Sequence, residues 1–207
     1  MRSRLNPLLR EGDVLYEPLD SSAPAQIVRR VPSTRGYKDL IEWTICFAVV
    51  ALLAVLCLRY VAEPVRVDGK SMLDTLQHNE FVLVTKYDYL NENPHFFDVV
   101  SCQYNQEGDS FVKRIAGLPG DMVELRAGDL YVNGTYIPQD FLTRRGTFDY
   151  GPVIVPDGCY FVLGDNRINS LDSRDPSVGF IPRAHILGHV RQVVFPFSDW
   201  RTVWDLR

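Results

Sequence analysis

Residues 43–58 read WTICFAVVALLAVLCL, sixteen positions without a charged residue, a proline or a glycine. They belong to a broader apolar stretch over residues 40–62, in which Glu42 and Arg59 stand near the two ends. A helix that crosses a bilayer needs about 20 mostly apolar residues, or about 17 at the short end. A buried helix of a soluble protein normally has one apolar stripe, whereas this stretch is apolar on every side. The sequence therefore predicts a transmembrane anchor over residues 40–62.

Residues 1–39 form a polar tail that contains several prolines and serines and has no periodic apolar spacing. Such a composition is typical of a flexible segment. A cleaved secretory signal would begin near Met1, so this tail favours an uncleaved anchor. Four positive charges lie just before the uncharged stretch 43–58 and three just after it: Arg29, Arg30, Arg35 and Lys38, then Arg59, Arg66 and Lys70. The difference predicts a cytoplasmic tail and an extracytoplasmic remainder.

Residues 63–207 consist of short runs rich in β-branched and aromatic residues, with turn signals at close intervals. A hairpin is predicted at Asn133-Gly134, because both central positions of its tight turn need positive φ. We therefore predict a mainly β fold, in which a single N-terminal transmembrane helix is followed by one compact β-rich domain. The predicted strands are Val65–Val67, Phe81–Lys86, Phe97–Tyr104, Phe111–Ala116, Met122–Arg126, Leu130–Val132, Thr135–Ile137, Tyr160–Leu163 and Val190–Phe195.

Charge and cysteine usage exclude several classes of function. The formal net charge is −4 and no local basic stripe is present, so a nucleic-acid partner is not expected. Cys102 and Cys159 are predicted to form either one disulfide or two buried free thiols. His185 and His189 are four residues apart, but the glycine and the β-branched run around them argue against a metal-binding helix. No metal site is expected.

Three segments of the β-rich part carry residues that are able to perform chemistry. Ser71 follows Gly69 at a bend that leads into a predicted helical turn, where a hydroxyl can lie beside backbone amides. Lys113 shares the apolar face of a predicted strand with Phe111 and Ile115. Burial would lower the pKa of this lysine and make a neutral amine available as a base. The third segment, residues 164–175, reads GDNRINSLDSRD and is either a solvated loop or an inward-folded hydrogen-bonded network.

Together these segments resemble the bacterial type I signal peptidases, membrane-anchored serine proteases that remove signal peptides from exported proteins. The resemblance rests on three sequence motifs that occur in the same order as in the family. They are Ser71-Met72 with Thr75-Leu76, the run from Lys113 to Asp121, and residues 164–174. It implies that Ser71 is the nucleophile and Lys113 the general base, and that no cofactor is needed. It also implies supporting roles for Ser170, which would hydrogen-bond the lysine, and for Asp172, Arg174, Arg114 and Asp165.

The same resemblance implies the substrate and its location. Secretory pre-proteins with signal peptides would bind extended beside Met72, where shallow pockets select small residues of Ala-x-Ala type sites. Cleavage would take place at the outer face of the cytoplasmic membrane, with the lipid bilayer as the other partner. The implied organisation is a cytoplasmic tail over residues 1–39, the anchor over 40–62 and a catalytic domain over 63–207.

Two positions depart from the family's pattern. Gly69 stands where some relatives have a serine that donates to the oxyanion, so a second donor must come from the backbone or from water. Asp74 stands where the family has a proline, and its carboxylate would stabilise the charged form of Lys113 and reduce activity near neutral pH. The alternative function is a catalytically weak or inactive membrane-tethered β domain that acts as a secretion accessory. A self-cleaving serine–lysine repressor is disfavoured, because residues 1–39 contain no helix-turn-helix.

Overall fold

The structure, a computed structural model, describes residues 34–73, 75–104 and 110–203. Most of the predicted tail and Asp74 therefore lie outside the described residues. Within those ranges the chain forms one long α-helix followed by twelve β-strands, so the predicted mainly β fold is confirmed. The elements are α1 (Thr34–Tyr60), β1 (Ala62–Arg66), β2 (Phe81–Thr85), β3 (Val99–Gln103), β4 (Ser110–Gly117), β5 (Met122–Arg126), β6 (Asp129–Val132), β7 (Thr135–Ile137), β8 (Tyr150–Ile154), β9 (Cys159–Leu163), β10 (Ile181–Pro182), β11 (Ile186–Phe195) and β12 (Arg201–Thr202).

Helix α1 contains the apolar stretch of the sequence. Residues 36–60 are long and apolar enough to cross a membrane, and none of the most apolar window is buried. The helix begins earlier than the predicted anchor, because charged residues such as Lys38 are good helix formers even where the sequence is not apolar. It ends at Tyr60, and Ala62 already belongs to β1. Pro64 cannot donate the backbone hydrogen bond that a continuing helix would need.

The strands form two antiparallel sheets. The larger sheet has the order β1-β2-β11-β3-β4-β9-β10, with β12 paired to β11, and the smaller has the order β7-β6-β5-β8. One core cluster joins the two sheets, since Leu125 and Leu130 of the smaller sheet are buried together with Phe161 and Leu163 of the larger one. The two sheets therefore share one apolar core.

Strand β4 is largely buried inside the larger sheet. It lies between β3 and β9, and six of its eight residues, from Val112 to Gly117, are buried. Its apolar residues contribute to all three core clusters: Val112 to the first, Ala116 to the second and Ile115 to the third. A polar residue in the middle of this strand is consequently held away from water.

The predicted hairpin at Asn133-Gly134 is confirmed: β6 pairs with β7, and the two turn residues have φ values of 53° and 79°. Three strands were not predicted, namely β8, β10 and β12. Strand β8 contains Gly151-Pro152, a pair that normally marks a turn, and it tolerates the proline because it lies at the edge of its sheet. Strands β10 and β12 have only two residues each, too few to show an alternating pattern. Cys102 and Cys159 are both free thiols.

Candidate active site

Ser71 lies in the loop that connects β1 to β2, at the start of one turn of helical hydrogen bonding. The backbone N–H groups of Thr75 and Leu76 both donate to the carbonyl of Met72, at 3.0 and 2.8 Å. The side chains of Met72 and Leu76 are almost wholly buried in the first core cluster. These two apolar residues fix the turn to the core, so that the residue before them has a defined position.

Lys113 lies in the middle of β4 and has only 2% of its surface exposed. Its Nζ lies 2.9 Å from Ser71 Oγ and 3.1 Å from the carbonyl oxygen of Val112. The structure thus brings together the two residues that the sequence predicted as nucleophile and base. A distance of 2.9 Å fits a hydrogen bond in either direction, because both an amine and a hydroxyl can donate or accept.

Two aromatic rings lie beside the Nζ of Lys113. The rings of Tyr104 and Phe111 stack with centroids 4.2 Å apart, and Nζ lies 5.9 and 5.7 Å from their respective centroids. Burial lowers the pKa of Lys113, although the nearby Cys102 thiol and two carboxylates of the site, Asp172 and Asp165, oppose this effect. The net direction is downward, which favours the neutral amine at lower pH than for an exposed lysine.

A cleft of about 450 Å³ gives access to these two side chains. It is lined by two extended segments, residues 65–68 and residues 110–113, together with Ser71 and Met72. Met72 therefore contributes to the cleft even though most of its side chain is buried. Two extended segments beside a reactive group are a suitable frame for an extended peptide.

Asp165 and Arg114 form a buried ion pair close to the Ser71 turn. Arg114 donates from Nε and Nη2 to the two carboxylate oxygens of Asp165, both at 2.9 Å, and both side chains are at most 3% exposed. Arg114 also donates to the carbonyl of Phe97 at 2.9 Å. Asp165 in addition accepts a short hydrogen bond from the hydroxyl of Thr75, which belongs to the Ser71 turn.

Asp172 and Arg174 form the second ion pair. Arg174 donates from Nε and Nη2 to Asp172 at 2.7 and 2.8 Å, and the carboxylate also accepts from the backbone N–H of Gly164 at 3.0 Å. The run over residues 164–175 thus folds inward as a hydrogen-bonded network. Its polar groups bond to each other and to the Ser71 segment instead of to solvent alone.

Ser170 lies next to the Ser71 backbone but does not make the predicted hydrogen bond to Lys113. In the described part of the chain, its Oγ is buried and has no hydrogen-bond partner. A Cβ added at Gly164 would fall 2.1 Å from Ser170 Oγ and 2.6 Å from the Ser71 carbonyl oxygen. Only glycine fits at position 164, because Ser170 and the Ser71 backbone approach it so closely.

Asn166 is a residue of the site that the sequence reasoning missed. Its backbone N–H donates to the carbonyl of Ser71 and its side-chain amide to the carbonyl of Lys70, both at 2.9 Å. It lies between Asp165 and Arg167 in the polar run, and its position there was the available signal. Tyr104 was also missed, and its hydroxyl donates to the carbonyl of Leu171 at 2.9 Å. Among the described residues, no group of three or more His, Cys, Asp or Glu side chains is placed to hold a metal ion.

Comparison with known proteins identifies the family. The sequence profile described as "Signal peptidase, peptidase S26" matches residues 40–195. Signal peptidase I S of Bacillus subtilis is 37% identical over 176 residues, which cover 79% of this chain and 94% of that protein. Signal peptidase I of Bacillus licheniformis is 36% identical over 180 residues, covering 82% of this chain and 96% of the relative.

A crystal structure of a signal peptidase I from Enterococcus faecalis is 34% identical in sequence, with a TM-score of 0.43, and covers 48% of this chain and 97% of its own. The profile spans most of the chain, and the two Bacillus proteins match it over nearly their whole length. The chain therefore belongs to the signal peptidase I family, peptidase S26, and is a serine protease.

Proposed function

We propose that this protein cleaves signal peptides from secretory pre-proteins by means of a dyad in which Ser71 is the nucleophile and Lys113 the general base. The observation that carries this proposal is the 2.9 Å contact between Nζ and Oγ at a lysine that is 2% exposed. A serine hydroxyl becomes an effective nucleophile when a neighbouring base takes its proton. A lysine does this only when it is neutral, and burial of Lys113 lowers its pKa in the required direction.

The reaction then follows in two steps. The neutral amine of Lys113 takes the Oγ proton while Oγ attacks the scissile carbonyl carbon, and the ammonium gives this proton to the departing amine. The signal peptide is left as an ester on Ser71. In the second step Lys113 takes a proton from water, the resulting hydroxide attacks the ester, and the proton returns to Oγ. The backbone N–H of Ser71 is assigned to the oxyanion, as one of its donors.

The other predicted residues are assigned to support. Asp165 and Arg114 hold the Ser71 turn through Thr75, since the Asp165 carboxylate accepts from the Thr75 hydroxyl. Asp172 and Arg174 hold the backbone of Gly164, the residue against which Ser170 packs. We propose that the Ser170 hydroxyl forms a hydrogen bond with the Lys113 amine once substrate is bound.

The substrate is proposed to bind as an extended strand along the cleft. Residues 65–68 and 110–113 offer backbone groups to it, and Met72 lines the position next to Ser71. A side chain bound beside Ser71 would meet this turn, which Met72 and Leu76 fix to the core, and we propose that small residues are preferred there for this reason. A preference for small residues beside Ser71 supports cleavage at Ala-x-Ala type sites.

We further propose that the chain is a single-pass protein of the cytoplasmic membrane, with residues 1–39 inside, 40–62 as the anchor and 63–207 outside. Besides helix α1, an exposed apolar cluster of the β-rich part supports a bilayer partner. Phe81, Phe195, Phe197 and Trp200 are each more than a third exposed, and with Pro64 and Val194 they line a wholly apolar hollow. Aromatic residues of this kind are enriched where proteins meet a membrane interface.

The dyad is tested with the full chain in detergent and a pre-protein that carries one Ala-x-Ala site. Wild type, Ser71→Ala and Lys113→Ala are compared, and each cut is mapped by mass spectrometry. Lys86→Ala is the matched control, because Lys86 is partly exposed and pairs with Glu63. We expect cleavage after the site by wild type and Lys86→Ala only. Cleavage by Ser71→Ala would overturn the assignment, and no cleavage by folded wild type would favour the secretion accessory.

The orientation is tested by labelling cysteines in intact cells with a reagent that does not cross membranes. Ser177→Cys introduces a thiol at an exposed site of the β-rich part, and Ser21→Cys introduces one in the tail. We expect Ser177→Cys to react in intact cells and Ser21→Cys to react only after permeabilisation. The reverse pattern would show that the catalytic domain is cytoplasmic.

A further inference from the structure

We propose that His78 is a positioning residue for the Ser71 segment, and that protonation of its Nδ1 lowers the turnover number. The backbone N–H of Gly69, two residues before Ser71, donates to His78 Nδ1 at 3.1 Å. The inference rests on the proposed role of Ser71 as nucleophile. It concerns how this chain holds the loop that contains both Gly69 and the reacting hydroxyl of Ser71.

The loop between β1 and β2 is closed at its base by backbone hydrogen bonds. The N–H of Val67 donates to the carbonyl of Glu80 at 2.8 Å, and the N–H of Asn79 donates to the carbonyl of Val67 at 2.9 Å. The bond from Gly69 to His78 is the next one inward, towards Ser71. It is made by a side chain, whereas the two bonds at the base are made by the backbone. A substitution at position 78 can therefore remove it while leaving the base of the loop intact.

The bond to His78 fixes the backbone at Gly69, which has a conformation that favours glycine. Gly69 has a φ of 108°, and no heavy atom lies within 4 Å of the position that a Cβ would occupy. Among the described hydrogen bonds, the Gly69 N–H makes one, to His78. A glycine in open space has many accessible backbone conformations, so the loss of this bond frees the Gly69 backbone, next to the Lys70 and Ser71 carbonyls that Asn166 holds.

The chemistry of the imidazole makes this anchor sensitive to protonation. Nδ1 accepts a hydrogen bond from Gly69, so it carries no proton in this arrangement and the ring is neutral. A proton on Nδ1 would turn the acceptor into a donor and leave the Gly69 N–H without its partner. Asp68 Oδ1 lies 3.4 Å from the same nitrogen and would accept from the protonated ring. The two states of His78 therefore have two different partners, Gly69 and Asp68.

The other charged groups at the base of this loop are already engaged. Arg66 donates to the Asn79 side chain, at 3.1 Å from Nε, and Glu80 accepts from Arg201 at 2.7 and 2.9 Å. Within the described ranges, Asp68 is the charged residue that lies within ion-pair distance of His78. Asp68 is exposed, so its carboxylate is available at the surface as a partner for protonated His78.

The test measures kcat and KM for full-length wild type, His78→Ala and His78→Asn in detergent. The Asn side chain places an oxygen acceptor close to the position of Nδ1 and does not gain a proton at mildly acidic pH. At pH 8 we expect His78→Ala to lower kcat about tenfold, which corresponds to about 1.4 kcal/mol, the size of one neutral hydrogen bond. KM should change by less than about threefold, and His78→Asn should recover most of the loss.

The pH dependence separates positioning from a structural role. When the pH is lowered from 8 to about 5.5, kcat of wild type should fall towards that of His78→Ala and their ratio should approach one, because a proton on Nδ1 removes the same hydrogen bond that the alanine removes. The ratio of wild type to His78→Asn should fall by about tenfold over the same range. His95→Asn is the matched control, because His95 is exposed and contacts Asp98 instead of the Ser71 loop. Its kcat relative to wild type should not vary with pH.

A pH-independent ratio between wild type and His78→Ala, or an unchanged kcat at pH 8, would overturn the proposal. If His78→Ala does not fold, the comparison of wild type with His78→Asn decides by itself, since both retain an acceptor at pH 8. Failure of the proposed function would be seen separately, as cleavage by Ser71→Ala. In that case the role of Ser71 is wrong, and the proposal for His78, which rests on it, falls with it.

Discussion

Replacement of Asp165 by Asn tests whether the buried ion pair behind the Ser71 turn is structural, catalytic or both. The substitution keeps the shape of the side chain but removes its charge. Arg114 would then lose its anionic partner while remaining 2% exposed, and the amide NH2 of the new side chain would face a guanidinium N–H. The Thr75 hydroxyl, which now donates to Asp165, would lose a charged acceptor.

The expected cost follows from the burial of both partners. Removing one member of a buried ion pair leaves an uncompensated charge and typically costs about 3 to 5 kcal/mol. For a domain of this size, 1 kcal/mol shifts the melting temperature by about 2 to 4 °C. We therefore expect Asp165→Asn to lower the melting temperature by about 6 to 20 °C. We also expect lower activity at temperatures where the variant is folded, because the Ser71 turn is less firmly held.

Thermal unfolding in detergent, followed by circular dichroism, measures the first effect, and pre-protein cleavage at 15 °C measures the second. The double variant Arg114→Met/Asp165→Leu separates the two, because it replaces the whole pair by apolar groups. It should recover much of the stability of wild type but not its activity, since the leucine offers the Thr75 hydroxyl no acceptor. A loss of less than about 1 kcal/mol in Asp165→Asn would refute the reasoning. It would mean that Arg114 is satisfied without the carboxylate.

Three further predictions concern the lysine and its surroundings. Lys113→Met should abolish cleavage yet raise the free energy of unfolding near neutral pH, because burial lowers the pKa of Lys113 below its value of about 10.4 in the unfolded chain. This gain should shrink as the pH rises towards 10, which chemical denaturation at several pH values would show. Tyr104→Phe should cost about 1 kcal/mol, seen as a lower melting temperature, because it removes the bond to the Leu171 carbonyl and keeps the ring stack. Asp74→Pro should raise the cleavage rate near neutral pH, and an unchanged or lower rate in a kinetic assay would contradict the account of that position.

The sequence was sufficient to predict the mainly β fold and to name the two residues that meet in the cleft. The strand period placed Lys113 on the apolar side of β4, and its 2% exposure agrees with that pattern. The hairpin at Asn133-Gly134 was predictable because only a few residue types tolerate its backbone conformation. Short-range signals of this kind depend on neighbouring residues alone, so they can be recognised without a structure.

The contact between Ser71 and Lys113, which are 42 positions apart, was expected from the family resemblance, but other contacts over long sequence distances were not predictable. Asn166 is 95 positions from Ser71, and no local pattern indicates that its amide groups bind the carbonyls of Lys70 and Ser71. The bond from Ser170 to Lys113 was expected from the family resemblance, but Ser170 Oγ packs against Gly164 in the structure and has no described partner. A side-chain rotamer of this kind is decided by packing and not by residue type.

The two ion pairs of the site also bear on why Lys113 can be neutral at all. Burial lowers its pKa, while the carboxylates of Asp172 and Asp165 raise it, and the net direction is downward. Each carboxylate is bound through two nitrogens of an arginine, Arg174 in one case and Arg114 in the other. Each guanidinium carries a charge opposite to that of its carboxylate and so weakens the opposition at Nζ, while burial is the largest influence on the pKa of Lys113. The network can thus hold the Ser71 turn through the Asp165 carboxylate while the pKa of Lys113 remains lowered.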